Sequence, residues 1–110
     1  MGAMSELAST VSREEIVETI LRDYGPVEKI ILFGSAARGD ADEHSDIDLI
    51  IVKETKKSFV RRSVEAPYFC VPSDIFVYTP QEFVQMKENE NPFLLSALEE
   101  GIVLYERGKQ

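Results

Sequence analysis

Apolar residues recur at helical spacing near the start of the chain. After Ser12 they fall on one stripe, at Ile16, Val17, Ile20 and Leu21. Ser12 and Glu15 also have the spacing of a capping box, in which each side chain accepts a hydrogen bond from the other residue's backbone N–H. The pattern predicts an amphipathic helix that begins at Ser12 and ends near Gly25-Pro26.

Four shorter apolar runs are typical of strands. The run at 27–33 ends in four consecutive apolar residues, which indicates burial on both faces of a sheet. The runs at 46–52, 75–78 and 102–105 are also strand-like, and the third of the four runs is rich in β-branched and aromatic residues. The chain therefore alternates strands with helices.

The remaining helices are predicted from caps and periodicity. A short amphipathic helix is expected within 53–69, where basic and apolar residues alternate loosely. Residues 79–82 read Thr-Pro-Gln-Glu, a capping box with proline at the first helical position, and predict a helix to about residue 87. A last helix is predicted from Asn91-Pro92 to a terminating Gly101. Its inward side chains are expected to be Leu94, Leu95 and Leu98.

Length and composition indicate one domain of ordinary globular character. The chain has 110 residues, of which 44% are hydrophobic and 29% charged. We expect a tail at 1–11, with residues 1–3 a candidate cloning remnant, a domain at 12–106 and a second tail at 107–110. No apolar run approaches the ~20 residues of a membrane-spanning helix, and the start lacks the features of a secretory signal, so membrane insertion is not expected.

The net charge indicates which class of partner to expect, and the cysteine content indicates the cellular compartment. The formal net charge of −8 disfavours non-specific binding to nucleic acid, because a polyanion is repelled by it, and suits a basic protein partner. The single cysteine, Cys70, cannot form an internal disulfide, and no Cys/His cluster has zinc-ligand spacing. A reducing cytoplasm is the expected location.

The segment from 30 to 52 carries the candidate chemistry. An apolar run ends in Gly34-Ser35, where a helical turn is expected to start, and unpaired backbone N–H groups and a hydroxyl there suit an anion. After a polar loop, Asp46 and Asp48 project from one face of a strand whose other face carries apolar residues. Two neighbouring carboxylates favour a cation between them. Phosphates and a hard metal ion are the expected occupants.

The same segment resembles the DNA polymerase β-like nucleotidyltransferase superfamily, and within it the minimal nucleotidyltransferases that serve as antitoxins. The family signature is Gly-Ser, ten residues, then Asp-x-Asp. Here Gly34-Ser35, ten residues and Asp46-Ile47-Asp48 match it without a gap. The resemblance implies an α/β fold in which a small mixed β-sheet is flanked by helices.

The resemblance also implies a set of site residues. In the family a third carboxylate completes a site for two magnesium ions, and Asp74 stands at that position if the strands that carry Asp48 and Asp74 are neighbours. ATP or another NTP is the expected substrate, with Gly34, Ser35 and Arg38 holding its phosphates. Alternatives stay open: Asp74 as a turn residue, Ser35 as a helix cap and Arg38 as a support of the polar loop.

Several other residues are interpreted as structural. His44 is taken as incidental, and the five basic residues of 53–69 as a solvated helix face, with a basic patch for a nucleotide or partner as the alternative. Tyr68 and Phe69 are expected to pack, with a base pocket as their alternative, and Cys70 to be a small core residue. None of these residues is needed by the carboxylate chemistry.

The acceptor of the nucleotidyl group is suggested only by the resemblance. Minimal nucleotidyltransferases accompany small helical HEPN proteins, which implies transfer of AMP to a tyrosine of a HEPN toxin, with this chain as the antitoxin. The rivals are a non-catalytic antitoxin of the same fold and a small-molecule, antibiotic-type nucleotidyltransferase. Nucleotide preference and homo-oligomerisation are left open.

Overall fold

The computed structural model describes residues 12–34, 47–66 and 73–108. In chain order they form α1 (Arg13–Asp23), β1 (Lys29–Phe33), β2 (Ile47–Val52), α2 (Phe59–Glu65), β3 (Ser73–Tyr78), α3 (Pro80–Glu88), α4 (Pro92–Glu100) and β4 (Ile102–Glu106). Each predicted element that falls within these residues is present, with ends shifted by a few positions. The predicted turn and loop between Ser35 and Ser45 lie outside the described residues, as do Tyr68, Phe69 and Cys70.

The four strands form one mixed sheet in the order β3-β2-β1-β4. β1 pairs antiparallel with β2 and β4, whereas β2 and β3 are parallel neighbours. The two inner strands are largely buried on both faces, as the apolar run at 27–33 predicts for β1. The mixed α/β prediction is confirmed, and the condition set for Asp74 is met, because the strands that carry Asp48 and Asp74 are neighbours.

Helices cover both faces of the sheet. On one face, Ile16 and Ile20 of α1 pack against alternate strand residues, among them Ile30, Leu49 and Val77. On the other face, α3 and α4 cover the intervening strand residues. The buried members there are Ile31, Ile50, Val52, Phe83, Leu94 and Ala97. Strand residues one position apart therefore belong to two different cores.

The helix starts follow the local rules. Ser12 and Thr79 each form a complete capping box, with Glu15 and Glu82 respectively. Asn91 caps α4 through its side-chain oxygen, which accepts a hydrogen bond from the N–H of Leu94 at 3.1 Å. All three caps were predicted positions. Among the described residues, no helix is both long and apolar enough to cross a bilayer.

The inward face of α4 differs from its prediction. Leu94 is fully buried and Leu98 packs against the same core, but Leu95 is 40% exposed and Ala97 is buried instead. The cause is a close approach of the helix to β1 at Gly101. A Cβ there would meet the Ala97 carbonyl oxygen, with Ile31 Cγ2 at 3.0 Å and the Leu32 carbonyl oxygen at 3.1 Å. A helix seated this closely admits alanine toward the sheet where leucine was expected.

Candidate active site

Three residues of adjacent strands form a row at one end of the sheet. Phe33 of β1 is in register with Asp48 of β2, and Asp48 is in register with Asp74 of β3. Registered residues point to the same face, and neighbouring strands lie about 4.8 Å apart. We call Phe33, Asp48 and Asp74 the end row. It lies on the face covered by α3 and α4, because Asp48 alternates with Ile47 and Leu49, which enter the α1 core.

The end row is accessible to a ligand. Asp48 is half-buried and Asp74 is exposed, whereas the remaining β2 residues are buried. Asp74 belongs to an edge strand and Asp48 to an inner one. The end row therefore contains one carboxylate held inside the sheet, that of Asp48, and one that an incoming molecule can reach, that of Asp74.

Gly34 follows the end row and packs against it. Its φ is +78°, in the left-handed region that favours glycine. A Cβ at this position would overlap a carboxylate oxygen of Asp48 and lie 3.3 Å from its Cγ. The turn thus brings its backbone against a carboxylate, which only glycine permits. This contact gives a physical reason for the glycine beyond the predicted approach of a phosphate.

Part of the predicted site lies outside the described residues. Ser35, Arg38 and Asp46 are in this group, together with His44. Their roles remain predictions. Of the six predicted site residues, the structure brings together Gly34, Asp48 and Asp74.

The described part of the site fits a hard divalent cation. Within 12–34, 47–66 and 73–108 there is no group of three or more His, Cys, Asp or Glu residues that could hold a metal ion. Two carboxylates aligned in register nevertheless supply the oxygen ligands that magnesium prefers, and magnesium commonly takes only one or two carboxylates besides substrate phosphates. Asp48 and Asp74 would hold such an ion, with Asp46 as the third ligand predicted from the sequence.

An aromatic cluster stands beside the end row. Ring centroids lie 6.2 Å apart for Phe33 and Phe76, 5.6 Å for Phe33 and Phe93, and 5.1 Å for Phe76 and Phe93. Phe76 is in register with Ile50, two residues beyond Asp48 on the same face. Sequence analysis missed this cluster. Its only sequence signal is that Phe33 and Phe76 lie in strand-like runs, and the strand order and register are needed to place them on one face, two positions apart.

The basic residues of 53–69 contribute mainly to the fold. Arg62 is only 7% exposed, and its guanidinium donates to the carbonyls of Lys57 and Val77 and to the Glu82 carboxylate. The Lys53 ammonium donates to the carbonyls of Tyr24 and Pro26. The predicted solvated face is thus wrong for Arg62, which is a buried connector between α2, β3 and α3. Arg61 and Lys57 are exposed, and both pair with Glu65.

These contacts shift the pKa values of three side chains. The hydrogen bond from Arg62 holds the pKa of the Glu82 carboxyl below its usual value. Burial lowers the pKa of the Lys53 ammonium, and the nearby Lys57 lowers it further. Burial also raises the pKa of the Tyr24 hydroxyl, which donates to the Arg62 carbonyl. These charged side chains hold neighbouring helices and strands together.

Comparisons with known proteins agree with the fold. The sequence profile of the family described as Polymerase beta, Nucleotidyltransferase matches residues 14–110. The chain is 37% identical to a Methanocaldococcus jannaschii protein named as a putative protein adenylyltransferase, over 84% of this chain and 93% of the relative. A second protein of that name and organism is 28% identical over 94% of this chain and 98% of its own length.

A solved structure shares the fold. A nucleotidyltransferase described as putative, from Sulfolobus solfataricus, superimposes with a TM-score of 0.57 at 23% identity, covering 94% of this chain and 81% of that one. The fold is therefore that of a minimal nucleotidyltransferase. The chain belongs to the polymerase β nucleotidyltransferase family.

Proposed function

We propose that this protein transfers AMP from ATP to a hydroxyl group of another protein in a magnesium-dependent reaction. Family membership supports transfer of a nucleotidyl group, and the names of the M. jannaschii relatives favour a protein as the acceptor. The observation that carries the proposal is the register of Asp48 with Asp74 beside the Gly34 turn. This arrangement supplies carboxylates for a metal ion next to a turn suited to phosphates.

The donor side of the reaction is assigned to β1 and β2. The Gly34 turn, with Ser35 and Arg38 beyond it, holds the triphosphate, while Asp46 and Asp48 hold its divalent ion. Bound magnesium neutralises charge on the α-phosphate and lowers the pKa of the acceptor hydroxyl. The half-buried position of Asp48 between two strands keeps its carboxylate fixed toward this group.

The acceptor side is assigned to the edge strand β3. Asp74 is exposed. Its carboxylate takes the proton of the acceptor hydroxyl while the hydroxyl oxygen bonds to the α-phosphorus. The bond between the α-phosphorus and the oxygen bridging to the β-phosphate breaks, and pyrophosphate leaves with that electron pair. The products are the adenylated hydroxyl and pyrophosphate. An edge position suits this role because, in the part of the chain that the structure describes, no further strand stands between Asp74 and an incoming partner.

The acceptor we propose is a tyrosine of a HEPN toxin, with this chain as its antitoxin. The support is the resemblance of the Gly34 to Asp48 segment to minimal nucleotidyltransferases and the net charge of −8, which favours a basic partner. We also propose a cytoplasmic location, which is supported by the need for ATP and by the single cysteine. A small-molecule acceptor is less favoured, because the M. jannaschii relatives are named as putative protein adenylyltransferases.

The proposal is tested with the purified protein, ATP, magnesium and the protein encoded beside it. Mass spectrometry of the partner should show the addition of one adenylate on a tyrosine. Asp74→Asn should lose the transfer but keep most of its ATP affinity, because Asp48 and the Gly34 turn still hold the triphosphate. Asp23→Asn is the matched control, since Asp23 lies on α1 in an exposed pair with Arg22.

Cell survival separates an enzyme from a contact antitoxin. If the wild type, Asp74→Asn and Asp48→Asn all protect cells fully and no partner is modified, the enzymatic proposal fails and the binding module stands. Joint loss of protection and of modification in the two variants is the expected result. Modification of a small molecule in place of the partner would contradict the proposed acceptor.

A further inference from the structure

Helix α2 has its polar and apolar sides reversed. Its buried side carries Arg62, whereas Val60 and Val64 are 71% and 76% exposed. The two valines are four residues apart and lie on one stripe of the helix, and Arg62, two residues from each, lies on the opposite side. They are the most exposed large apolar residues in the described part of the chain. We call Val60 and Val64 the α2 outer face.

The two valines contribute little to the fold. Valine is a poor helix former, so at an exposed position it stabilises a short helix less than alanine would. The contacts that hold α2 come from its other side. The Arg62 guanidinium donates to the Val77 carbonyl at 3.3 Å. The Phe59 ring stacks on that of Tyr78, with centroids 5.6 Å apart. α2 is therefore fixed in place with an apolar face toward solvent, which is suited to contact with another protein.

The α2 outer face belongs to the same edge of the sheet as Asp74. β3 is an edge strand, with Asp74 near its start and α2 packed at its other end, against Val77 and Tyr78. Val77 is three residues from Asp74 along the strand, about 10 Å. One protein can cover both positions, because an ordinary interface buries about 800 Å² on each partner. A partner that contacts α2 is thus close enough to bring a hydroxyl to Asp74.

The charges around α2 differ from those of the chain as a whole. Residues 53–65 contain five basic and two acidic residues, whereas the whole chain contains 12 basic and 20 acidic residues. Three of the five basic residues are exposed, namely Lys56, Lys57 and Arg61. Lys57 and Arg61 pair with Glu65, and exposed pairs of this kind are weak enough to be exchanged for a partner's carboxylate. Basic side chains therefore border the two valines.

We infer that the α2 outer face docks the protein acceptor, through a surface of apolar side chains bordered by carboxylates. The inference rests on the proposed function, because it assumes that the acceptor is a protein whose hydroxyl reaches Asp74. It places part of acceptor recognition away from the end row, on a helix that carries no residue of the Gly-Ser or Asp-x-Asp motifs. The acidic remainder of the chain attracts basic regions of the same partner, so the opposite charge around α2 fixes the orientation in which the partner binds.

Binding of the protein encoded beside this chain tests the inference. Its affinity is measured by calorimetry, without ATP, for the full-length wild type and for the double variant Val60→Ala/Val64→Ala. The double variant removes four methyl groups from the contact, which should weaken binding at least about tenfold. Alanine is the better helix former, so α2 should stay folded. Val103→Ala is the matched control, because Val103 is also exposed but lies on β4, the opposite edge strand.

Two further measurements separate docking from chemistry. ATP affinity with magnesium and the transfer rate at saturating partner should match the wild type in the double variant, because α2 carries no residue of the end row. Arg61→Gln should weaken partner binding about two- to fivefold and make it less sensitive to salt. Tighter binding in Arg61→Gln would contradict a partner surface that carries carboxylates.

The outcomes distinguish this inference from the proposed function. If the wild type modifies the partner and the double variant binds the partner as tightly as the wild type, the α2 assignment is overturned while the nucleotidyltransferase proposal stands. Equal weakening by Val103→Ala overturns it too, because the loss would not be specific to α2. If the wild type self-associates and only that association is lost in the double variant, the surface binds a second copy of this chain instead. Absence of both binding and modification in the wild type would contradict the proposed acceptor and this inference with it.

Discussion

The two ends of the sheet differ in how their charged side chains are arranged. One end is formed by Lys29, Val52 and Tyr78, and charged side chains there contact opposite charges and backbone carbonyls. At the other end the carboxylates of Asp48 and Asp74 lie in register. Near the first end, Arg62 pairs with Glu82 at 2.7 Å, and Lys29 pairs with Glu106 at 3.3 Å. At the second end, like charges stand on adjacent strands. The first arrangement stabilises the fold, and the second is suited to an added cation.

The comparison predicts that function and stability depend on opposite ends of the sheet. Substitutions in the end row should affect chemistry with little change in stability. Substitutions around Arg62 should do the reverse. Each experiment below changes one end and measures both properties.

The largest expected effect is the loss of transfer in Asp48→Asn. Even changes beyond the direct ligands of a metal site typically cost 10- to 100-fold, so removing a ligand charge should lower the transfer rate roughly 100-fold or more. The side-chain volume is kept, and we expect the free energy of unfolding to change by less than about 1 kcal/mol. Denaturant unfolding and a transfer assay on the same preparation check this. Near-normal transfer would remove Asp48 from the metal site, and Asp23→Asn should match the wild type in both measurements.

The next effect is a loss of stability in Arg62→Met. The substitution leaves the carbonyls of Lys57 and Val77 without their donor in a buried position, which should cost roughly 2–3 kcal/mol. The ion pair contributes less, because the Glu82 side chain is 43% exposed. ATP affinity at saturating magnesium should stay near that of the wild type below the melting transition. The neighbouring Arg61→Met is the control and should change stability by no more than about 0.5 kcal/mol. Equal effects of the two substitutions would contradict the buried role of Arg62.

A pair of glycine substitutions separates backbone strain from damage to the site. Gly34 and Gly25 have φ values of +78° and +84°, so alanine at either should cost on the order of 1 kcal/mol. At Gly25 the nearest atom to an added Cβ is Lys53 Nζ at 3.7 Å, an ordinary contact, whereas at Gly34 the Cβ displaces the Asp48 carboxylate. Gly34→Ala should therefore also weaken magnesium-dependent ATP binding. If Gly25→Ala weakened it equally, the contact with Asp48 would not be the cause.

The smallest effect concerns acid stability. Since the pKa of Glu82 is lower in the folded protein than in the unfolded chain, its contribution to stability is present above the unfolded pKa and is lost as the pH falls through the folded pKa. The window is thus below about pH 4. Glu82→Gln keeps a residue that can complete the capping box with Thr79 and removes the titrating group. Stability measured from pH 6 to pH 2.5 should fall less steeply in the variant, by under about 1 kcal/mol. An unchanged slope would show that the pair with Arg62 is not linked to acid unfolding.

Local features of the fold could be predicted from the sequence because few residues determine them. The capping boxes at Ser12 and Thr79 depend on residues three positions apart, and the burial of β1 follows from its uninterrupted apolar run. The shared face of Asp48 with Ile50, opposite Leu49, follows from strand alternation. Asp74 was harder to place. Its position beside Asp48 depends on strand order, which the sequence left as a condition, and its role as a third carboxylate came from the family resemblance.

Features that depend on distant contacts were missed. Arg62 meets Glu82, which is twenty residues away, so a loosely basic helix pattern could not show that it is buried. The rotation of α4 was also mispredicted. Three leucines suggested the inward face, but the close approach at Gly101 turns Ala97 toward the sheet and leaves Leu95 outside.

The central claim is that the end row holds a metal ion together with the nucleotide, and thermal melting tests it most directly. Ligands that bind only the folded state stabilise it in proportion to the logarithm of their concentration over Kd, about 2.7 kcal/mol at 100-fold excess. Magnesium and ATP together should raise the Tm of the wild type by several degrees more than the sum of their separate shifts. In Asp48→Asn this added shift should disappear. An added shift of the same size in Asp48→Asn, or none in the wild type at millimolar ligand, would contradict the claim.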